Sequence, residues 1–280
     1  MSDKLMRPIL ITGCSSGIGL ASALHLETLG FNVVASVRKP IDVQVLSALG
    51  FKSVCMDTSD DRSIDGGLSS AIEMVGDGGF YGVFHNAGYG QSGALEDLPS
   101  QALMEQFNVN VVGVHQINRR LIPLMRRSGA GRIVFNSSVL GLMAMRYRGA
   151  YAMSKFAIEA MADTLRLELR NSGIHVSLIE PGPISTRFRS NSLAAFERHV
   201  DVEKSVHCAA YIEFLKRLKK TGDTSQFTLQ TSACMPPLVD ALTSANPKAR
   251  YPVTIPTKLV SLLKRILPVG LLDQVAFKNL

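Results

Sequence analysis

Short apolar runs recur along the chain at strand length, and most are followed by a stretch whose apolar residues return with helical period. Leu10-Ile11-Thr12 ends the first run, a glycine-rich turn follows, and Ile18–Leu29 predicts a helix. Val33–Val37, Lys52–Met56 and Phe80–His85 read as the second, third and fourth strands. A long helix is predicted over Leu103–Met125, a fifth strand over Arg132–Asn136, a second long helix over Ala150–Asn171 and a sixth strand over Ile174–Ile179. Tyr251–Thr254 is a candidate last strand. The runs are nearly continuously apolar, as strands are when helices cover both faces of a sheet. The alternation predicts a doubly wound α/β fold on a mostly parallel seven-stranded sheet.

The pattern breaks between about Thr186 and Pro236. Phe188, Leu193, Phe196, Val200, Ala209, Tyr211, Phe214 and Leu215 stand there among charged residues, and the stretch reads as mostly helical. It precedes the last strand, on the carboxyl-end side where ligands bind in such folds. We therefore expect a substrate lid over about 187–236; the alternative is a pair of helices completing the core.

Composition narrows the function. With 46% hydrophobic and 19% charged residues, the 280-residue chain can bury a core, which excludes a disordered protein and suits a single domain over 1–280. Trp is absent and aromatics make up 6%, so no stacking platform for single-stranded nucleic acid is expected, and no nucleic-acid recognition motif accompanies the +7 net charge. Cys14, Cys55, Cys208 and Cys234 are widely spaced, without a CxxC pair, so neither a metal site nor a disulfide framework is expected. Reduced thiols point to the cytoplasm. Pro8–Leu26 carries no charge, yet Gly13-Cys14-Ser15-Ser16-Gly17-Ile18-Gly19 interrupts it, which argues against an export signal or a spanning helix.

Two groups of residues carry chemistry. Thr12-Gly13-Cys14-Ser15-Ser16-Gly17-Ile18-Gly19 stands directly after a strand and before a helix. There, glycines let backbone N–H groups approach a pyrophosphate, and the helix N-terminus favours anions. Tyr151 and Lys155, four apart on a helix, share one face; a fixed cation beside a phenol favours phenolate and tunes it for proton transfer. Ser138 follows the fifth strand, where its hydroxyl can bond a substrate carbonyl. Asn86-Ala87-Gly88 follows the fourth strand, and Asn110 lies in the helix after it.

In these motifs, together with Pro181-Gly182, the chain resembles the short-chain dehydrogenase/reductase family over about residues 7–255. Within that family it is most similar to the branch of retinol and 17β-hydroxysteroid dehydrogenases and bacterial aldehyde reductases. The resemblance implies a Rossmann-type fold and a catalytic tetrad of Asn110, Ser138, Tyr151 and Lys155. Tyr151 would exchange the proton, Ser138 polarise the carbonyl, Lys155 lower the phenol's pKa and hold the nicotinamide ribose, and Asn110 fix a relaying water. It implies dinucleotide contacts from Gly13, Ser15, Ser16, Gly17, Ile18 and Gly19, from Asp57 at the adenine, and from Asn86, Ala87 and Gly88. Pro181, Gly182, Ile184 and Thr186 would hold the carboxamide end. His85 stands where the family often has Asn, and a packed neutral ring is expected of it.

Finer expectations follow. Val37 ends the second strand where NAD-preferring members carry an acid, and Arg38 and Lys39 follow, so NADP(H) is the expected cofactor, its 2′-phosphate gripped by a guanidinium. Val139, Leu140, Leu142, Met143 and Met145 suit a lipophilic aldehyde or ketone. The reaction direction stays open between carbonyl reduction and alcohol oxidation, and a non-catalytic dinucleotide sensor is the other class of reading. The two long helices commonly pair in the family, which implies a homodimer. Finally, from Asn246 onward six basic residues face one acid, and Leu259, Val260, Leu262, Leu263, Ile266 and Leu267 recur at helical spacing, followed by Leu271, Leu272, Val275 and Phe277. This tail, about 257–280, fits an interfacial helix on an anionic bilayer, a pocket closure or a partner contact.

Overall fold

The computed structural model describes residues 7–278 apart from 77, 220–221 and 223–224. Its strands are β1 (Pro8–Thr12), β2 (Asn32–Val37), β3 (Lys52–Cys55), β4 (Gly82–His85), β5 (Gly131–Asn136), β6 (Ile174–Glu180) and β7 (Arg250–Pro252). They lie in the order β3-β2-β1-β4-β5-β6-β7, and every neighbouring pair is parallel. The sheet is thus parallel throughout, not only mostly so.

Between and after the strands run α1 (Gly17–Thr28), α2 (Pro40–Ala48), α3 (Asp61–Val75), α4 (Ser100–Phe107), α5 (Gly113–Ser128), α6 (Gly149–Glu168), α7 (Phe188–His199), α8 (Cys208–Lys219), α9 (Met235–Thr243), α10 (Ile255–Ile266) and α11 (Val269–Lys278). Successive strand residues point to opposite faces. Leu10, Val34, Val83, Ile133 and Leu178 therefore pack in one core with Leu68 of α3, Ile117 of α5 and Ile158 of α6. Ile9, Ile11, Val33, Phe84 and Ile179 pack in the other with Leu26 of α1, Leu46 of α2 and Leu238 of α9. The continuous apolar character of the strands is the trace of these two covered faces.

Three elements differ from the sequence expectation. The helix predicted over Leu103–Met125 is α4 and α5 joined by a five-residue π-helical turn, Asn108–Val112. Such turns recur at functional sites. Here the wider turn carries the buried Asn110, whose side chain binds Tyr89 and Ser154. Second, α2 and α3 fill stretches where no element was expected. Ile41, Val45 and Leu49 are exposed around α2, so its apolar residues do not mark a buried stripe. Third, from Met235, at the expected end of the lid, the chain forms α9, a helix that was not expected and that covers the sheet through Leu238, Ala241 and Leu242. Residues 1–6 and 279–280 of the expected domain and tail lie outside the described residues, as do the side chains of Val275, Phe277 and Lys278.

Candidate active site

Strand order reverses between β1 and β4, and the carboxyl ends of these strands open into a cleft of about 1050 Å³. The glycine turn lies at the end of β1. Gly13 holds a left-handed φ of +74°, and a Cβ built on it would lie 2.8 Å from the Ala87 Cα. A Cβ on Gly19 would meet the Gly13 carbonyl oxygen at 2.3 Å, so α1 packs against its own turn only with glycine there. Ser16 at the N-cap of α1 makes no side-chain capping bond, and the first turn holds no acid. The helix N-terminus is left to favour an anion in the cleft.

A chain of hydrogen bonds fixes the strand ends to one another. Thr12 Oγ1 accepts from the Asn86 and Ala87 backbone N–H groups, both at 3.0 Å, and Asn86 Nδ2 donates to the Thr12 carbonyl at 3.0 Å. Asn136 Nδ2 donates to Asn86 Oδ1 at 2.9 Å, and Lys155 Nζ donates to the Asn136 carbonyl at 2.6 Å. The glycine turn and the lysine of α6 thus belong to one braced unit. Asp57, after β3, accepts from the Ser59 N–H and hydroxyl through Oδ1. Arg38 and Lys39 follow the buried Val37 and are exposed along the cleft; among the described residues no carboxylate forms an ion pair with Arg38.

Of the expected site residues, Gly13, Ser15, Ser16, Gly17, Ile18, Arg38, Lys39, Asp57, Asn86, Ala87, Gly88, Ser138, Tyr151, Lys155, Pro181, Gly182, Ile184 and Thr186 line this cleft. Gly19 and Asn110 do not. Gly19 acts behind the turn, by close packing. Asn110 Nδ2 donates to the Tyr89 carbonyl at 3.0 Å and to Ser154 Oγ at 3.1 Å, so both its amide hydrogens serve the scaffold.

Burial pushes the Tyr151 phenol up to about 12, against a hydrogen bond from Ser138 and the charge of Arg148, which pull it down. Lys155, the cation expected to lower it, stands beside the ring. Its Nζ is engaged by Asn136 and stands 5.6 Å from the Tyr151 ring centroid. Burial lowers the ammonium itself to about 8, opposed by Glu159 one turn away. The phenol is therefore the protonated partner and the ammonium the readily discharged one.

The opposite wall comes from the segment after β6. Phe188 of α7 tilts over Tyr151 at 5.1 Å between centroids, and Phe214 and Leu218 of α8 face the same cleft. α7 and α8 have their own core, in which Phe196, Tyr211 and Phe214 pack against Tyr147 and Leu98. The two alternatives weighed for this segment meet here: it walls the cleft and completes a second small core. The wall is not uniformly apolar. Arg148 lies beneath Phe214 with its guanidinium carbon 5.1 Å from the ring centroid, donates to Ser92 Oγ at 2.7 Å, and is lowered to about 10 chiefly by burial.

Sequence reasoning missed the support under α6. Arg250 of β7 pairs with Glu159 at 3.1 Å, Asp163 at 2.8 Å and the buried Glu180 at 3.3 Å, and the Ser137 hydroxyl donates to Glu159. Burial and Glu159 raise Glu180 to about 7. Glu159, one turn beyond Lys155, was the available signal. His85 is packed and neutral: burial lowers it to about 4, its Nε2 is 2.8 Å from Asn118 Oδ1, and its ring stacks on Phe135. All four cysteines are free, and among the described residues no cluster of His, Cys, Asp and Glu could hold a metal.

Comparison with known proteins agrees with this geometry. The family described as short chain dehydrogenase matches residues 7–196. The chain is 44% identical over 276 residues to the uncharacterized oxidoreductase YbbO of Escherichia coli strain K12, covering 98% of this chain and 96% of that one. It is 31% identical to the NADPH-dependent 3-dehydrocapnine reductase of Ornithobacterium rhinotracheale, covering 98% of each. A short-chain dehydrogenase/reductase from Burkholderia phymatum, solved in complex with NAD, superposes with a TM-score of 0.77 at 26% identity, over 94% of this chain and 93% of that one.

Proposed function

Because the chain belongs to the short-chain dehydrogenase family, and is an oxidoreductase with a nicotinamide-dinucleotide fold, we propose that it is an NADP(H)-dependent reductase of lipophilic aldehydes or ketones. One observation carries the reading: Ser138, Tyr151 and Lys155 converge on the same cleft as the uncapped α1 N-terminus and the unpaired Arg38.

The residues present fit the dinucleotide. The glycine turn and α1 would take the pyrophosphate, Asp57 the adenine, Arg38 with Lys39 the 2′-phosphate, and Pro181, Gly182, Ile184 and Thr186 the carboxamide end. Bound there, the cofactor supplies or accepts a hydride at the carbonyl carbon. Ser138 donates a hydrogen bond to the carbonyl oxygen, and Tyr151 gives that oxygen its proton. A phenol held near 12 carries its proton at neutral pH, ready to be given to the carbonyl oxygen, and the same group takes the proton back in alcohol oxidation. Lys155, lowered to about 8, re-protonates Tyr151 or shifts it toward phenolate as its own charge changes. Asn110 braces this group from behind the cleft. Leu140, Met145, Phe188 and Phe214 suit an apolar substrate body. Retention of all four tetrad positions weighs against a non-catalytic sensor. Exposed Met104, Val112, Met153 and Phe156 on or between α4, α5 and α6 suit a homodimer, and the free thiols suit the cytoplasm.

Purified protein assayed with aldehydes, retinoids and steroids is expected to oxidise NADPH in preference to NADH. Arg38→Ala should raise KM for NADPH roughly tenfold to a hundredfold, the worth of a charged hydrogen bond, and leave NADH nearly unchanged. Equal use of both cofactors by the unaltered protein would overturn the NADP assignment.

A further inference from the structure

α10 is amphipathic in the inverted sense: its apolar stripe faces away from the protein. Ile255 is 66% exposed, Leu259 53%, Leu262 56% and Ile266 68%, and beyond the break at Leu267 and Pro268 the first residue of α11, Val269, is 73% exposed. Thr257 and Val260 hold the other face inward. The attachment is specific. Thr254 caps the helix, and Thr254 Oγ1 lies 3.0 Å from Thr257 Oγ1, both residues fully buried. A Cβ on Gly182 would stand 2.1 Å from Thr254 Oγ1, so the helix start is pressed against the Pro181-Gly182 segment of the cleft. Farther along, Lys264 Nζ lies 4.6 Å from the ring centroid of Phe156 on α6. The helix is therefore fastened along its back while its front stays bare.

The charges around the stripe decide what covers it. Steps of four, three and four from Ile255 to Ile266 form a seam of heptad type, and Lys258 and Arg265, seven apart, border it on one side. The opposite border holds Pro256 and Leu263. A second α10 laid along this seam would set the cations against each other or against uncharged residues, with no acid to answer them. A surface of anionic headgroups answers both features, taking the stripe into the acyl boundary and the border cations at headgroup level. At about 18 Å the helix is too short for a hydrocarbon core of about 30 Å and lies in the plane of the interface. Among the described residues no helix is long and apolar enough to cross a membrane.

We propose that α10 docks this protein on anionic bilayer surfaces through the Ile255, Leu259, Leu262 and Ile266 stripe, with Lys258 and Arg265 as its headgroup contacts. This sets the membrane beside the segment that walls the cleft, where a lipophilic substrate is stored.

Flotation of the full chain with vesicles tests it. The protein should float with phosphatidylcholine vesicles containing 30% phosphatidylglycerol, and should not float with phosphatidylcholine alone or at 1 M salt. Leu259→Ser/Leu262→Ser should abolish flotation. Lys258→Ser/Arg265→Ser should lower the partition coefficient on the order of thirtyfold, from about 1 kcal/mol per surface cation. All four positions are exposed, and NADPH fluorescence titration verifies that each variant is folded. Failure of the unaltered protein to float would overturn the proposal, as would equal flotation of the leucine variant. A leucine variant that halves the sedimentation mass, with no flotation by the parent, would make the stripe a contact between copies.

Discussion

The two walls of the cleft are built by different means. On the cofactor side, placement rests on backbone: Gly13 and Gly19 in close approach, an uncapped helix N-terminus, and a hydrogen-bond chain from Thr12 through Asn86 and Asn136 to Lys155. On the substrate side, α7 and α8 are held by side chains, in an aromatic cluster of Phe196, Tyr211, Phe214 and Tyr147. Backbone placement tolerates few residue types at fixed spacing. Side-chain packing accepts many, provided volume is kept. One wall is thus constrained to a shared cofactor, while the other is free to diverge with the substrate.

The sharpest way to break this comparison is at the residue between the walls. Tyr151→Phe should cost about a thousandfold in kcat, the usual range for a positioned acid, while the NADPH dissociation constant stays within about twofold. If cofactor binding fell in parallel, the phenol would belong to the cofactor wall. A smaller effect tests the other side. Phe214→Ala opens the α8 wall above Arg148 and should raise KM for the carbonyl substrate about tenfold, with NADPH affinity unmoved in equilibrium titration. Loss of both together would mean that the walls form one cooperative unit.

The smallest effect concerns what lies beneath. Glu180, raised from 4.5 to about 7, binds its proton more tightly in the folded protein than in the unfolded chain. Stability from this group is full below about pH 4.5 and declines as pH rises to about 7. Thermal melts should therefore show Glu180→Gln gaining on the parent between pH 5 and pH 8, by about 3 °C or more. A difference that is flat with pH would mean that Arg250 fully neutralises the carboxylate.

The legibility of the sequence followed the same division. The succession of strands and helices, the glycine turn and the Tyr151–Lys155 pair were readable because strand and helix periods, close backbone approach and helical spacing leave few substitutes. Three things were hidden. Asn110 faces Tyr89 and Ser154 rather than the cleft, because a π turn with no composition of its own resets the helix. The support under α6 was hidden because Arg250, Glu159, Asp163 and Glu180 are far apart in the sequence and meet only in the fold. The burial that lifts the Tyr151 phenol above its ordinary value arises from Phe188 and its neighbours, which are brought there only by the fold.

The Arg250 cluster has a consequence for a shortened chain. Glu159 and Glu180 lie under the catalytic helix, while Arg250, the cation that pairs with both, sits on β7, well after Glu180 in the chain. A chain cut short before Arg250 lacks these ion pairs, and Lys155 is left as a cation beside Glu159. Such a truncated chain is expected to be cleaved faster than the full chain in limited proteolysis, because removing one partner of a buried ion pair is costly.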